Sequence, residues 1–203
     1  MVDPGAIGTL TASELIVGGQ KSGKSRCAEM RALQWLARGP AQRAVLIATA
    51  RPGDPQMQRR IARHQNDRAA RVPLMQTVEE PLDLAAAIAR HSNDRTLVIV
   101  DCLTLWLTNW LMPDPEFEHN DAAAHTERAQ AAINSIASGE AGRAARGPLV
   151  WVSNEIGLGV VPLGAATRDF VDALGSLNQA VAQASARVSL MAAGLPIYLK
   201  GAP

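Results

Sequence analysis

One glycine-rich octapeptide constrains the fold of this chain more than any other feature. Residues 18–25 have the sequence GGQKSGKS, which matches the pattern G-x-x-x-x-G-K-[ST]. The octapeptide follows a short apolar run at 14–17 and leads into a segment of helix-forming composition at 24–37. Glycines let the backbone turn so that successive N–H groups face one point, and a helix that begins there adds its dipole. The sequence therefore predicts a phosphate-binding loop (P-loop) between a strand and a helix.

The residues of this loop have different expected roles. Lys24 is expected to reach the β- and γ-phosphates of a bound nucleoside triphosphate, and the Ser25 hydroxyl is expected to bind Mg²⁺. The alternative is a glycine-rich turn that binds no ligand. The residues predicted to contact nucleotide here are Gly18, Gly19, Gln20, Lys21, Ser22, Gly23, Lys24 and Ser25.

Short apolar runs alternate with helical patterns along the rest of the chain. Buried strands are predicted at 14–17, 44–49, 96–100, 149–153 and 188–192, with a weaker strand at 74–78 and a last one at 196–200. Helices are predicted at 24–37, 55–70, 82–91 and 167–184, and in a surface excursion at 121–138. This alternation predicts an α/β fold whose mostly parallel sheet has helices on both faces and a C-terminal hairpin. Residues 1–13 are predicted to be a flexible extension, and 14–203 a single domain.

An acidic residue follows one of the predicted buried strands. Asp101 comes directly after the apolar run at 96–100. The carboxyl end of a parallel strand lies beside the P-loop, where a carboxylate can hold Mg²⁺ directly or through water. Asp101 is therefore a candidate Walker B acid. The alternative is a surface aspartate that caps a helix beginning near Cys102.

The predicted helix at 55–70 places a histidine between arginines. Arg60, His64 and Arg68 follow one another at a spacing of four residues, so they share one helix face. Nearby guanidinium groups disfavour the imidazolium form and attract phosphate, and a neutral imidazole is a nucleophile toward phosphorus. On the pattern alone, a solvent-exposed helix face is the more frequent explanation of such residues, and the pattern is weak evidence for chemistry.

Composition excludes several classes of function. Lys and Arg number 20 against 19 Asp and Glu, and the net charge of +1 gives no long-range field that would attract nucleic acid or a membrane surface. No apolar segment approaches the length that crosses a bilayer, and the N-terminus does not have the pattern of a signal peptide. Two cysteines, Cys27 and Cys102, make neither a disulfide framework nor a zinc site, which favours a cytoplasmic location.

Seven segments, in this order, resemble a family of bifunctional enzymes, the adenosylcobinamide kinase and adenosylcobinamide-phosphate guanylyltransferases of cobalamin biosynthesis. The P-loop is shared by many families, whereas the ordered set of RI-x-x-H, DCLT-x-WLTN and NE-x-G-x-G-x-VP is far more specific. The resemblance covers residues 15–200. The segments that carry it are GGQKSGKSRCAE (18–29), LIATA (46–50), RIARH (60–64), TVEEP (77–81), DCLTLWLTN (101–109), SNEIGLGVVP (153–162) and LNQAVAQ (177–183).

The resemblance implies a fold, two reactions and an assembly. The implied fold is a RecA-like P-loop sheet, and the implied assembly is a homotrimer. The reactions are phosphorylation of adenosylcobinamide with ATP or GTP, with Mg²⁺ as cofactor, and transfer of GMP from GTP to adenosylcobinamide phosphate. His64 occupies the position of the histidine that becomes guanylylated. The other residues implied to line the GTP site are Ala48, Thr49, Ala50, Gln65, Asn66, Asp67, Arg68, Glu79 and Asp101.

Two rival functions remain at this stage. One is a monofunctional P-loop kinase for another small alcohol, in which His64 only binds phosphate. The other is a GTP-binding regulatory protein, which is disfavoured because the chain has no N-K-x-D signature and its D-x-x-G, at 172–175, falls in a late helical segment.

Two further groups of residues have open roles. Asn154, Glu155 and Gly157 are expected to contact nucleotide, acceptor or a neighbouring subunit, or to form a turn. An apolar stripe at helical spacing is expected to pack in the core or between subunits, and with the low net charge it favours a homo-oligomer. The stripe consists of Leu103, Trp106, Leu107 and Trp110.

Overall fold

The computed structural model describes residues 12–53, 55–112 and 122–201. Residues 1–11 of the predicted N-terminal extension lie outside the described residues. The strands are β1 (Ser13–Gly18), β2 (Arg43–Ala48), β3 (Met75–Glu79), β4 (Thr96–Asp101), β5 (Leu149–Val152), β6 (Arg187–Ala192) and β7 (Leu195–Lys200). The helices are α1 (Lys24–Leu36), α2 (Pro55–Arg71), α3 (Leu84–His91), α4 (Leu103–Leu111), α5 (Ala122–Ala137), α6 (Glu140–Arg143) and α7 (Ala165–Ala184).

The seven strands form one sheet in the order β3-β2-β4-β5-β1-β6-β7. Every neighbouring pair is parallel except β6 and β7, which form an antiparallel hairpin. This topology, with the glycine-rich loop directly after β1, confirms the predicted α/β, RecA-like P-loop fold. Each predicted strand is confirmed to within one residue at either end, and each predicted helix to within two.

Two local differences from the prediction have identifiable causes. Helix α3 begins two residues later than expected because the Glu80 carboxylate accepts hydrogen bonds from the N–H groups of Leu82 and Asp83, at 3.0 and 2.9 Å. The Asp83 side chain then caps the helix by accepting from the Ala86 N–H. The short helix α6 was not expected, and it starts from Gly139 in a left-handed conformation with φ 73°.

Alternate side chains of the strands pack on opposite faces of the sheet. On one face, strand residues such as Ile16 and Ile99 pack against α1 through Cys27, Ala32 and neighbouring side chains. On the other face, strand residues contact apolar side chains of α3, α4, α5 and α7. The prediction of helices on both faces is therefore confirmed. No helix within the described ranges is long and apolar enough to cross a membrane.

The tryptophan stripe of α4 packs inside the chain. Trp106 is 1% exposed and Trp110 is 5% exposed, and both belong to the core of the second face. The Trp106 indole N–H donates to the Leu82 carbonyl at 2.7 Å. The core alternative predicted for the stripe is confirmed, so the stripe itself gives no support to an oligomer, and the oligomer stays a prediction.

Parallel pairing brings four strand ends to one edge of the sheet. Ala48 of β2 lies opposite both Glu79 of β3 and Asp101 of β4, and Asp101 lies opposite Val152 of β5. Val152 in turn lies opposite Ile16, two residues before the P-loop. The P-loop and the segments that follow these strands therefore meet at the carboxyl edge, where parallel sheets bind ligands.

Candidate active site

A cavity of about 700 Å³ opens at the carboxyl edge, between the P-loop and helix α2. Its volume falls within the range of sites that hold a small-molecule ligand. The P-loop, the ends of β2, β3 and β4, and one side of α2 all contribute to its wall. The cavity thus joins the P-loop and the histidine helix, which the sequence presented as separate motifs.

The backbone of the P-loop depends on two glycines with positive φ. Gly18 has φ 153° and Gly23 has φ 102°. A Cβ atom at Gly18 would lie 2.5 Å from the Met191 carbonyl oxygen, so no larger residue fits there. The N–H of Gly194, in the β6–β7 turn, donates to the Ser22 carbonyl at 2.9 Å and supports the loop from behind. Because the N-cap Gly23 has no side chain, the first N–H groups of α1 remain available to a phosphate.

Lys24 is the most buried cation of the loop, with 8% of its surface exposed. Its ammonium group donates to the Gly19 carbonyl at 2.6 Å and so lies against the loop that it is expected to serve. Burial lowers the pKa of Lys24, and the positive charge of Arg60 adds to this effect, while Cys102 and Asp101 oppose it. Arg60 affects the pKa of Lys24 because helix α2 faces the P-loop.

A threonine organises the turn that follows Asp101. Thr49 is fully buried, and its hydroxyl donates to the Cys102 carbonyl at 2.7 Å and accepts from the Cys102 N–H at 2.8 Å. Asn109 donates to the Thr49 carbonyl at 2.8 Å and ties the same turn to α4. The N-cap of α4 is Cys102, without a side-chain hydrogen bond, and Asp101 lines the cavity instead.

Helix α2 confirms the predicted shared face of Arg60, His64 and Arg68, because all three line the cavity. Partial desolvation at the cavity wall lowers the pKa of His64, Asp101 opposes this effect, and the positive charges of Arg60, Arg63 and Arg68 lower the pKa further. The neutral imidazole that nucleophilic attack requires is therefore favoured here.

Arg68 is the residue of α2 that reaches the interior. Its surface is 8% exposed, and its guanidinium has no hydrogen-bond or ion-pair partner among the described residues. A buried cation that lacks a partner is costly unless an anion neutralises it. Arg68 therefore marks a position in the cavity that suits a phosphate group.

Polar contacts attach the rest of α2 to the protein. The Arg71 guanidinium forms an ion pair with the buried Glu29 carboxylate of α1 at 2.5 Å. The Gln65 amide donates to the Glu79 carboxylate, at the end of β3, at 3.3 Å. These two contacts attach the C-terminal half of the helix that carries His64.

The cavity wall is strongly cationic in a chain whose net charge is only +1. Eight Lys and Arg side chains line it against three carboxylates, those of Asp67, Glu79 and Asp101. The eight cationic residues are Lys21, Lys24, Arg26, Arg59, Arg60, Arg63, Arg68 and Arg71. Such a wall favours a ligand with several phosphate groups.

Comparison with known proteins identifies the family. The family model of cobinamide kinase / cobinamide phosphate guanyltransferase matches residues 14–199. The chain belongs to this family. Similar proteins include the bifunctional adenosylcobalamin biosynthesis protein CobP of Pseudomonas aeruginosa, which is 44% identical over 191 residues, covering 94% of this chain and 98% of that protein.

Two bifunctional adenosylcobalamin biosynthesis proteins named CobU are also similar. The one from Escherichia coli is 32% identical and the one from Salmonella typhimurium is 31% identical, each over 92% of this chain and 98% of the relative. Among solved structures, the ATPase domain of G40P is similar with a TM-score of 0.47 and 13% identity, over 88% of this chain and 68% of that one.

Most residues predicted for nucleotide binding in this member of the cobinamide kinase / guanyltransferase family lie on the cavity wall. Four do not: Gly18 is buried at the start of the loop, Gly19 is exposed and accepts from Lys24, Thr49 is buried in the turn, and Asn66 is exposed on α2. The predicted residues that line the cavity are Gln20, Lys21, Ser22, Gly23, Lys24, Ser25, Ala48, Ala50, His64, Gln65, Asp67, Arg68, Glu79 and Asp101.

Several residues of the cavity wall were not predicted from the sequence. Met57, Ile61 and Arg71 lie three or four residues from members of the Arg60 face, so helical spacing alone would have found them. No local signal marks Leu105, because only the folded sheet brings it to the cavity. The other missed residues are Arg26, Gln56, Arg59, Arg63 and Cys102.

Proposed function

We propose that this chain catalyses both reactions named for its family. It phosphorylates the hydroxyl group of adenosylcobinamide with ATP or GTP, and it then transfers GMP from GTP to adenosylcobinamide phosphate through a guanylyl-histidine at His64. The observation that carries the proposal is that Lys24 of the P-loop and His64 of α2 line the same cavity. A monofunctional kinase would need only the P-loop half of this wall.

The P-loop half supports phosphoryl transfer. The backbone N–H groups at the start of α1 bind phosphate oxygens, and Lys24 exchanges the Gly19 carbonyl for the β- and γ-phosphates. The substrate hydroxyl then attacks the γ-phosphorus, and the nucleoside diphosphate leaves. Positioning and charge neutralisation by these groups provide most of the rate enhancement in reactions of this kind.

Ser25 and Asp101 are the residues that would hold Mg²⁺. Both line the cavity, and a hydroxyl with a carboxylate is an oxygen donor set that suits this ion, which takes its other ligands from water and phosphate. When bound, Mg²⁺ neutralises charge that develops on the β- and γ-phosphate oxygens.

The α2 half supports guanylyl transfer. A ring nitrogen of neutral His64 attacks the α-phosphorus of GTP, forms a P–N bond and releases pyrophosphate. A phosphate oxygen of adenosylcobinamide phosphate then attacks the same phosphorus, and the P–N bond breaks to return the imidazole. Arg60 and Arg68 lie on the same face and stabilise the negative charge of both transition states.

The residues on the far side of the cavity complete the GTP site in this proposal. Ala48 and Ala50 leave room at the end of β2, and the Gln65–Glu79 hydrogen bond provides an amide and a carboxylate for polar contacts with the nucleotide. The D-x-x-G segment lies inside α7 and so forms no phosphate-binding loop, which argues against a GTP-binding regulatory protein.

The test is incubation with GTP labelled on the α-phosphate, followed by mass analysis of the protein. We expect a GMP adduct on His64 that is labile in acid and stable in base, as a phosphoramidate is. His64→Ala should abolish the adduct and guanylyl transfer while phosphorylation of adenosylcobinamide persists, because the kinase step uses no covalent histidine. The matched control is His91→Ala, since His91 ends α3 and does not line the cavity. A wild-type protein without an adduct would leave the monofunctional kinase as the better proposal.

The proposed assembly is a homotrimer, and the proposed location is the cytoplasm. The loop between β5 and α7 exposes apolar side chains that a monomer would leave in water, among them Leu158, Val160 and Leu163, the last 98% exposed. Such patches are typical of interfaces. Both cysteines are free and buried, as expected in a reducing compartment.

A further inference from the structure

Strand β5 lies between β1 and β4 in the sheet. Its last residue, Val152, lies opposite Ile16 of β1 and opposite Asp101 of β4. The chain after β5 therefore leaves the sheet between the P-loop and Asp101. Asn154 is the second residue of this segment, and it lines the cavity.

Hydrogen bonds hold the backbone of Asn154 from two helices. The Asn154 N–H donates to the Thr104 hydroxyl of α4 at 2.8 Å, and the Asn178 amide of α7 donates to the Asn154 carbonyl at 3.0 Å. The next residue, Glu155, donates its N–H to the Gly18 carbonyl of the P-loop at 3.0 Å. The position of Asn154 is therefore fixed relative to the loop.

The side chain of Asn154 is left for another partner. It is half-buried, and its amide has no hydrogen-bond partner among the residues that the structure describes. The amide can donate two hydrogen bonds and carries no charge. A neutral donor at the position of Asn154 can bind a phosphate oxygen. It does not add to the strong attraction that the surrounding cations exert on the nucleoside diphosphate product.

We infer that the Asn154 amide donates to the γ-phosphate of the triphosphate in the P-loop and aligns it with the incoming hydroxyl group. Thr104 and Asn178 are positioning residues that hold Asn154 in place. This inference rests on the proposed kinase reaction, and it assigns to Asn154 one of the roles that the sequence left open. A donor aimed at the transferred group contributes most in the transition state.

The experiment measures two properties of Asn154→Ala and Asn154→Asp. One is kcat for phosphorylation of adenosylcobinamide, and the other is the preference in binding for the β,γ-imido analogue of ATP over ADP. We expect kcat to fall about 100-fold, as on loss of one donor to a transition state. The binding preference for the imido analogue over ADP should fall about tenfold or more, as expected for one hydrogen bond to a charged group. The affinity for ADP should stay unchanged. The matched control is Asn134→Asp on the exposed face of α5, which should change neither property.

The positioning role of Thr104 has its own test. Thr104→Val removes the acceptor of the Asn154 N–H and should lower kcat with little change in the KM for ATP, whereas Thr104→Ser should restore kcat. If Asn154→Ala keeps the kcat and the preference of the wild type, or if it loses ADP affinity as strongly as affinity for the imido analogue, Asn154 only shapes the loop. A wild-type protein that phosphorylates no adenosylcobinamide would contradict the proposed function, and the preference would still decide the role of Asn154.

Discussion

Glu14 is a fully buried carboxylate in the middle of the sheet. It accepts two hydrogen bonds from Arg31 of α1, at 2.7 and 2.9 Å, and one from Ser189 of β6 at 3.0 Å. Arg187, which is also buried, lies 3.8 Å from the same carboxylate. Burial by itself would lower the pKa of Arg31, but the hydrogen bonds and charge of Glu14 raise it. The carboxylate of Glu14 therefore offsets the cost of burying the charge of Arg31.

We expect Glu14→Gln to destabilise the fold by about 3 kcal/mol, because it removes the buried carboxylate that faces two buried guanidinium groups. The free energy of unfolding in urea measures the effect. Glu127→Gln is the matched control, since Glu127 is exposed on α5. Equal stability of the two variants would contradict the importance of this network.

The lowered pKa of His64 predicts a pH dependence. Only the neutral imidazole has a lone pair for attack, so adduct formation is complete above the folded pKa and is lost as the pH falls through it. Because partial desolvation and the three arginines lower the pKa of His64, single-turnover guanylylation should persist below the ordinary histidine pKa of about 6.5. Arg63→Gln removes one of these charges and should move the midpoint upward, whereas Arg90→Gln on α3 should not. A wild-type midpoint above the ordinary value would contradict this account.

At the residue scale, the sequence predicts the role of a functional residue where its motif lies within one short segment of the chain. The P-loop, Asp101 and the Arg60 face are all visible within short windows, and the structure brings them to one cavity. The role of Glu14 was not predictable, because its partners come from α1 and from β6, far along the chain. Thr49 was expected in the site by resemblance, whereas its buried hydroxyl is used by the turn at Cys102.

Helix α2 differs from the other long helices in how it is attached. Of its 17 residues only Arg68 is buried, whereas α1 buries seven of 13. Little apolar surface therefore holds it, and its ion pair between Arg71 and Glu29 is partly open to solvent. Elements with few buried contacts unfold locally at low cost in free energy.

We expect the backbone amides of α2 to exchange hydrogen faster than those of α1, and GTP to slow the exchange in α2. Glu29→Gln weakens the ion pair and should speed exchange in α2 up to about fivefold, the equivalent of about 1 kcal/mol. Mass-detected hydrogen exchange resolves the two helices as separate peptides. Exchange in α2 that is as slow as in α1 would show that contacts other than these hold the helix.

At the element scale, the type and extent of nearly all helices and strands were predictable, because apolar period and helix-forming composition are local properties. The weak attachment of α2 was not predictable from the sequence. A helix that packs on the protein and a helix that is exposed to solvent can have the same arginine-rich pattern. The burial of the α4 stripe was left open for a similar reason, because core and interface use the same apolar spacing.

At the scale of the whole molecule, we expect a trimer that depends on the apolar loop after β5. Val160→Asp combined with Leu163→Asp should give monomers, because two carboxylates would be buried without partners. Sedimentation velocity at micromolar concentration measures the assembly. Leu74→Asp is the control, since Leu74 is 76% exposed and lies far from this loop in the sequence. A monomeric wild type, or dissociation of the control as well, would contradict the proposed interface.

The positive charge of the cavity wall also affects the rate at which a triphosphate binds. Five units of excess positive charge line the cavity, so the remainder of the chain, whose total is +1, carries about −4. The molecule is thus strongly polarised although it is almost neutral. A triphosphate that diffuses past it is guided toward the cavity, and dissolved salt screens this guidance over about 10 Å. The association rate of GTP should therefore fall steeply with ionic strength, as it does for proteins of much higher net charge.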